Sequence, residues 1–363
     1  MSVGTGTTST AVDVRIMTRA ELALHGVASD APVRRPDGAG PSDDGHVLVD
    51  GANAALPTNP ASTYRVRDGR VWLGEEDTGL TLTAVHRPRF YDLTTADGIP
   101  YEHIARLHGA DVLATTVVQT CIRYAESDRC RFCTIEESLR SGATVAAKTP
   151  AQLAEVAEAA VRLDGIKQMV MTTGTTTGAD RGARNLVRSV RAVLRAVPDL
   201  PIQVQCEPPR DLAWIRALHD AGATAIGIHA ESLDEEVRRR WMPGKSTVPL
   251  AEYRAAWDEA VRVFGANRVS TYLLVGLGED PDELIAGAGE LIGRGVYPFV
   301  VPFRPMRGTL AARDGVPAPD AELLRYVTEA VAAKLRAAGM RGADQQAGCA
   351  ACGACSVLPA AGG

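Results

Sequence analysis

From Val112 onward, apolar strand-like runs alternate with amphipathic helical ones, and this alternation constrains the fold more than any other feature of the chain. Strands are predicted near 112–119, 167–172, 201–206, 224–229, 268–276 and 297–303. Helices are predicted near 150–163, 184–196, 210–220, 249–264 and 281–293, with a last one near 319–338. Such alternation argues for a parallel sheet with crossover helices. Thr149-Pro150 and Asp280-Pro281 supply helix starts, and Gly222 and Gly339 supply stops. The class is α/β, and six units fit a partial (β/α)6 TIM-like barrel better than a closed eightfold one. In such folds the site lies at the carboxyl ends of the strands.

The remaining chain divides around this barrel. Residues 1–45 read as a flexible N-terminal segment and linker, polar to about residue 30 and rich in Gly, Pro and Asp after it. Residues 46–110 form a small β-rich appendage, with Asp68-Gly69 as a hairpin turn. The barrel occupies 111–310, and 311–363 holds the last helix and a Cys-rich tail. A net charge of −5 gives no electrostatic reason to expect a nucleic-acid partner. No run approaches the ~18 apolar residues of a membrane span. The first residues lack the apolar stretch of a signal peptide. The expected location is therefore the cytoplasm, where clustered cysteines are more often metal ligands than disulfides.

Six of the seven cysteines fall into two groups. Cys121, Cys130 and Cys133 stand in CIRYAESDRCRFC, with gaps of eight and two residues, directly after the first barrel strand. Three thiolates can hold three irons of a 4Fe–4S cluster and leave the fourth open for chemistry. Arg123, Arg129 and Arg131 are placed to lower thiolate pKa values and offset cluster charge. A zinc knuckle is the competing reading, although a structural zinc site normally takes four protein ligands.

Features further along the barrel resemble the radical S-adenosylmethionine (SAM) superfamily, and within it the biotin synthase and lipoyl synthase group, over roughly 110–310. Phe132 precedes the last cysteine, where the family places an aromatic residue. Thr173-Gly174-Thr175 stands in the place of the turn that receives the SAM amino group, without that turn's usual acid. His229-Ala230-Glu231-Ser232 resembles the stretch that contacts the SAM ribose. WMPGKS resembles the segment that supplies a basic residue, here Lys245, near the SAM carboxylate. VGLGED, with Gly276 and Gly278, is the most recognisable match, and PFRPMRGTL is similar to a biotin synthase segment. The first cysteine gap is longer than the family's usual one.

The resemblance implies that Cys121, Cys130 and Cys133 bind a 4Fe–4S cluster, with SAM on its open iron. One electron would cleave SAM reductively to a 5′-deoxyadenosyl radical that abstracts hydrogen from a small-molecule substrate. A flavodoxin- or ferredoxin-type protein would donate the electron. The chain also resembles an uncharacterised subgroup encoded beside nitrilases, which suggests a nitrogen-containing substrate.

The tail reads GCAACGACS, and Cys349, Cys352 and Cys355 are spaced like half of a ferredoxin-like run. They are expected to hold an auxiliary 4Fe–4S cluster, its fourth iron open or bound by Cys206, Ser356 or substrate. Zinc binding and an idle tail are the alternatives. Cys206 is expected to be a buried small residue or a residue of the substrate cavity, ahead of a cluster ligand. Ser270 stands where biotin synthase would have another cysteine, so that assignment is disfavoured. Two other classes remain open: a non-catalytic iron–sulfur electron carrier and a zinc-stabilised barrel enzyme.

Overall fold

The computed structural model describes residues 7–28, 46–57 and 59–363. The segment 31–45, expected to be a linker, lies outside the described residues. Where the sequence suggests a flexible lead-in, Thr7–His25 forms a helix, α1. Ile16, Ala20, Ala23 and Leu24 on α1 are buried in the barrel's core cluster, and Leu22 is buried in the appendage's cluster. Two apolar stripes hold the helix in place, and its polar composition hides both.

The appendage is a five-stranded antiparallel sheet. Its strands are β1 (His46–Val49), β2 (Ala52–Ala55), β3 (Tyr64–Arg67), β4 (Arg70–Leu73) and β5 (Glu76–Ala84), in the order β2-β1-β5-β4-β3. Asp68 and Gly69 both have positive φ in the β3–β4 turn, as a two-residue hairpin requires.

The barrel strands are β6 (Arg106–His108), β7 (Val112–Thr116), β8 (Gln168–Thr172), β9 (Ile202–Gln205), β10 (Ala225–Gly227), β11 (Val269–Val275) and β12 (Val296–Pro302). They lie side by side in chain order, β12-β11-β10-β9-β8-β7-β6. Strands β7 to β12 are parallel and β6 runs antiparallel at the edge. Each strand follows its predecessor in the sheet, and the two edge strands do not pair, so the sheet curls into an open partial barrel. All seven residues of β12 are buried, as a strand covered on both faces must be.

The helices that cover the sheet are α2 (Pro150–Asp164), α3 (Ala183–Ala196), α4 (Ala213–Asp220), α5 (Glu235–Trp241), α6 (Leu250–Phe264), α7 (Pro281–Gly293) and α8 (Ala321–Ala337). Helix α2 starts at a capping box: Thr149 Oγ1 accepts from Gln152 N, and Gln152 Oε1 accepts from Thr149 N. Asp234, Asp280 and Asp320 cap α5, α7 and α8 by accepting hydrogen bonds from backbone N–H groups of the first turn. These local signals explain why the predicted boundaries lie close to the observed ones. Among the described residues, no helix is long and apolar enough to cross a membrane.

The tail turns back into the barrel. Gly348 N donates to Gln168 Oε1 at 2.7 Å, and Cys349 N donates to Gln203 Oε1 at 3.3 Å. The appendage grips the same segment from outside. Ala55 N donates to Ala354 O at 2.8 Å, and Asn53 Nδ2 donates to Cys352 O at 3.3 Å.

Candidate active site

The loop from Thr120 to Thr134 begins just past β7, at the carboxyl mouth of the barrel. Cys121, Cys130 and Cys133 are each half-buried. Burial pushes the Cys130 thiol well above its ordinary value and that of Cys133 up to about 11. Such thiols stay protonated until a cation replaces the proton. The cation that acts on both is Lys245. Arg123 is bound to Glu207 by two hydrogen bonds of 2.8 and 3.1 Å. Arg131 pairs with Asp314 at 2.6 Å, and Arg129 lies over the Tyr124 ring.

Two turns press against this loop. Gly174 N donates to Val118 O at 2.8 Å, and Ile122 N donates to Thr175 O at 3.0 Å. A Cβ on Gly174 would stand 2.0 Å from Thr120 O. Thr173-Gly174-Thr175 therefore sits against the start of the cysteine loop, and only glycine permits the approach. On the other side, Gly244 N donates to Asp128 O at 2.9 Å, docking the segment that carries Lys245.

Lys245 Nζ donates to both carboxylate oxygens of Glu231, at 2.7 and 2.6 Å. Burial depresses Lys245, but the Glu231 charge more than offsets it and the net shift is upward. Burial still leaves Glu231 above its ordinary value. Glu231 has a left-handed φ of 63°, a strained conformation for a non-glycine residue. His229 Nδ1 accepts from Tyr272 N at 3.2 Å, and its ring stacks on Tyr272 with centroids 4.1 Å apart. Burial, helped by the Lys245 charge, pushes His229 down to about 3, so it is neutral.

Phe132 stacks on Trp241, 6.5 Å between centroids. Gly276 and Gly278 stand apart from these residues. Both have positive φ in a tight turn, and hydrogens on them face Pro319 and Arg240. Their link to the site runs through Leu277 O, which accepts from Trp241 Nε1 at 2.6 Å.

The tail cysteines enter the lumen from the side opposite the mouth. Cys349 Sγ accepts from Tyr272 Oη at 2.8 Å and from Gln205 Nε2 at 3.1 Å. Burial raises Cys349 and Cys352. Cys206 is buried in the core, and burial pushes it up to about 12. Ser356 donates its hydroxyl to Val300 O.

Two cavities lie in the lumen. One of about 210 Å³ is lined by Phe132, Glu231, Tyr272, Met306 and Cys355 among others. The other, of about 200 Å³, includes Lys148, Gln205, Tyr272 and all three tail cysteines. Tyr272 and Cys355 border both. Sequence reasoning missed Glu207, Lys148, Gln205 and Tyr272 as site residues. The placement of Glu207, Gln205 and Tyr272 on or just past strands of an inferred barrel was the one signal available.

The first cysteine group suits a 4Fe–4S cluster: three half-buried thiols on one loop, beside a cation and a carboxylate. Each cluster cysteine takes a different iron, so the sulfurs need not converge on one point. Among the described residues, no three His, Cys, Asp or Glu side chains converge to hold a single ion, as a zinc site would require.

Residues 127–290 match the radical SAM superfamily. The match takes in Cys130, Cys133, Thr173 to Thr175, His229, Glu231, Lys245, Gly276 and Gly278, while Cys121 and the tail lie outside it. The chain is also similar to bacteriochlorophyllide c C-7(1)-hydroxylase of Chlorobaculum limnaeum, at 26% identity over 240 residues. That similarity covers 61% of this chain and 59% of the length of the relative. Among solved structures, methylornithine synthase (PylB) aligns at 15% identity and TM-score 0.49, over 75% of this chain and 78% of its own. The FeFe-hydrogenase maturase HydG of Carboxydothermus hydrogenoformans aligns at 17% identity and TM-score 0.44, over 62% and 50% of the two chains.

Proposed function

We propose that this protein is a radical SAM enzyme acting on a small molecule inside the barrel, with a second cluster in its tail. Cys121, Cys130 and Cys133 would hold the first 4Fe–4S cluster. When bound, the reduced cluster and SAM supply a 5′-deoxyadenosyl radical able to take a hydrogen atom from substrate. The rest is the work of this chain's side chains. Glu231 and Lys245 keep a matched anion and cation ready for a zwitterionic ligand, and each is satisfied by the other until one arrives. Thr173 to Thr175 offer carbonyl and hydroxyl acceptors to an amine. Phe132 and Trp241 wall the lumen and exclude water. His229, neutral at physiological pH, is a hydrogen-bonding group and not a charge.

The observation that carries this reading is that the tail cysteines line a cavity bordered by Tyr272 and Cys355, two residues that also line a second cavity with Phe132 and Glu231, beside the first cysteine group. An electron carrier has no use for cavities of this size beside its cluster ligands. This supports Cys349, Cys352 and Cys355 as ligands of an auxiliary 4Fe–4S cluster close to the substrate space. A flavodoxin- or ferredoxin-type donor would supply the electron, and the cytoplasm remains the expected location. A nitrogen-containing substrate stays part of the reading, on the resemblance alone.

The test is anaerobic reconstitution, dithionite reduction, addition of SAM and chromatography for 5′-deoxyadenosine. Its formation in the wild type and loss in Cys133→Ala is the expected result. A protein holding a reducible cluster that yields none is a carrier, and the proposal fails.

A further inference from the structure

Four of the 39 basic Lys and Arg residues are lysines: Lys148, Lys167, Lys245 and Lys334. Lys167 and Lys334 are exposed, and Lys245 is paired with Glu231. Lys148 is different. It is only 6% exposed, and its ammonium donates to two neutral oxygens, Thr116 O at 2.7 Å and Gln119 Oε1 at 2.8 Å. Among the described residues no carboxylate pairs with it. Glu102, on the same cavity, lies 4.0 Å from Arg87.

A buried charge held only by neutral groups is costly unless something compensates it. An ammonium has three donors, and two are used here. Lys148 lines the cavity of about 200 Å³ that the tail cysteines also line, and Arg106, His103 and His108 face the same space. Burial, and secondarily the Arg106 charge, pushes Lys148 down to about 7. Among the described residues, Glu102 is the one carboxylate that lines this cavity. Its apolar walls include Ile104, Ala114 and Val170.

We infer that Lys148 is the recognition site for the carboxylate of a small monoanionic substrate, held in the lumen between β7, β8 and the tail cysteines. This rests on the radical SAM reading, because it takes this cavity as the substrate's. One compact cation with one hydrogen bond to give matches a carboxylate better than a dianionic phosphate. The volume limits the ligand to a small acid.

The test uses the full-length reconstituted protein with isotope-labelled lysine ε positions, where four signals are expected. Loss of one signal in Lys148→Met assigns it. The probes are sodium propionate and its neutral isostere propionamide. Propionate should move the Lys148 signal and raise its pH midpoint by about one unit or more, as an opposite charge within reach does. Propionamide should leave the midpoint in place. No response to propionate, or an equal response to both probes, overturns the inference. If Lys148→Met does not fold, Lys167→Arg and Lys334→Arg assign two signals, and of the remaining two the Glu231 charge keeps Lys245 protonated while Lys148 titrates near 7, so the wild-type titration stays decisive. Failure of the radical SAM reading appears separately, as absence of 5′-deoxyadenosine from the wild type.

Discussion

Gly174→Ala is the sharpest test of how the barrel supports the cysteine loop. The added Cβ would lie 2.0 Å from Thr120 O and 2.8 Å from Thr120 C, whereas ordinary contacts begin near 3.4 Å. Both atoms are backbone, so no rotamer change relieves the clash. The loop has to move by more than about 1 Å, an overpacking cost of about 1–3 kcal/mol. That motion also strains the Gly174 N to Val118 O and Ile122 N to Thr175 O bonds, each worth about 1 kcal/mol. At about 2 °C per kcal/mol for a protein of this size, the melting temperature should fall by about 5–10 °C. Cys121 follows Thr120 directly, so the variant should also lose much of the iron of the first cluster. Circular dichroism melts and iron assays on anaerobically reconstituted protein read both effects. Gly293→Ala is the control, since no atom lies within 4 Å of its added Cβ and it ends a helix. It should melt at or slightly above the wild type. A Gly174→Ala protein that melts within a degree of wild type and keeps its iron would refute the close-approach argument.

Wild-type protein should bind roughly eight irons if both sites hold 4Fe–4S clusters, and Cys133→Ala or Cys352→Ala should each remove about half by iron and sulfide assay. Full retention of iron in Cys352→Ala would mean that the tail holds no cluster. Because Lys148 titrates near pH 7 in the fold but near 10.5 when unfolded, the unfolded chain binds more protons between these values. Stability should therefore rise with pH across that window, by at most about 1.4 kcal/mol per unit, and Lys148→Met should flatten the rise in denaturant titrations. Thr149→Ala removes the capping box of α2 and should cost about 1 kcal/mol with no change in iron content, measured by chemical denaturation and iron assay.

Much of the barrel was legible in the chain because its signals are local. The predicted start of α2 rests on Thr149 and Pro150, and that of α7 on Asp280 and Pro281. These residues cap and begin the helices through bonds to neighbours three positions away. The strands were legible because parallel, two-sided burial demands continuous apolar runs, as in β11 and β12. The cysteine spacings and the order of the turns were local as well, and they carried the resemblance. Helix α1 was missed because its buried face is a stripe of small and aliphatic residues inside a polar segment.

What the tertiary structure alone decided are the contacts between distant parts of the chain. Cys349 reaches Tyr272 and Gln205 across 77 and 144 residues. Arg123 reaches Glu207 across 84, and the Lys245 charge acts on Cys130 and Cys133 across more than 100. Lys148 becomes a buried, carboxylate-free ammonium only when β7 and the cysteine loop close around it. The sequence by itself determined the elements, their order and the residues able to bind iron. Which of those residues share one lumen depended on how the sheet curls and where the tail returns. Side chains far apart in the chain carry no local trace of that meeting.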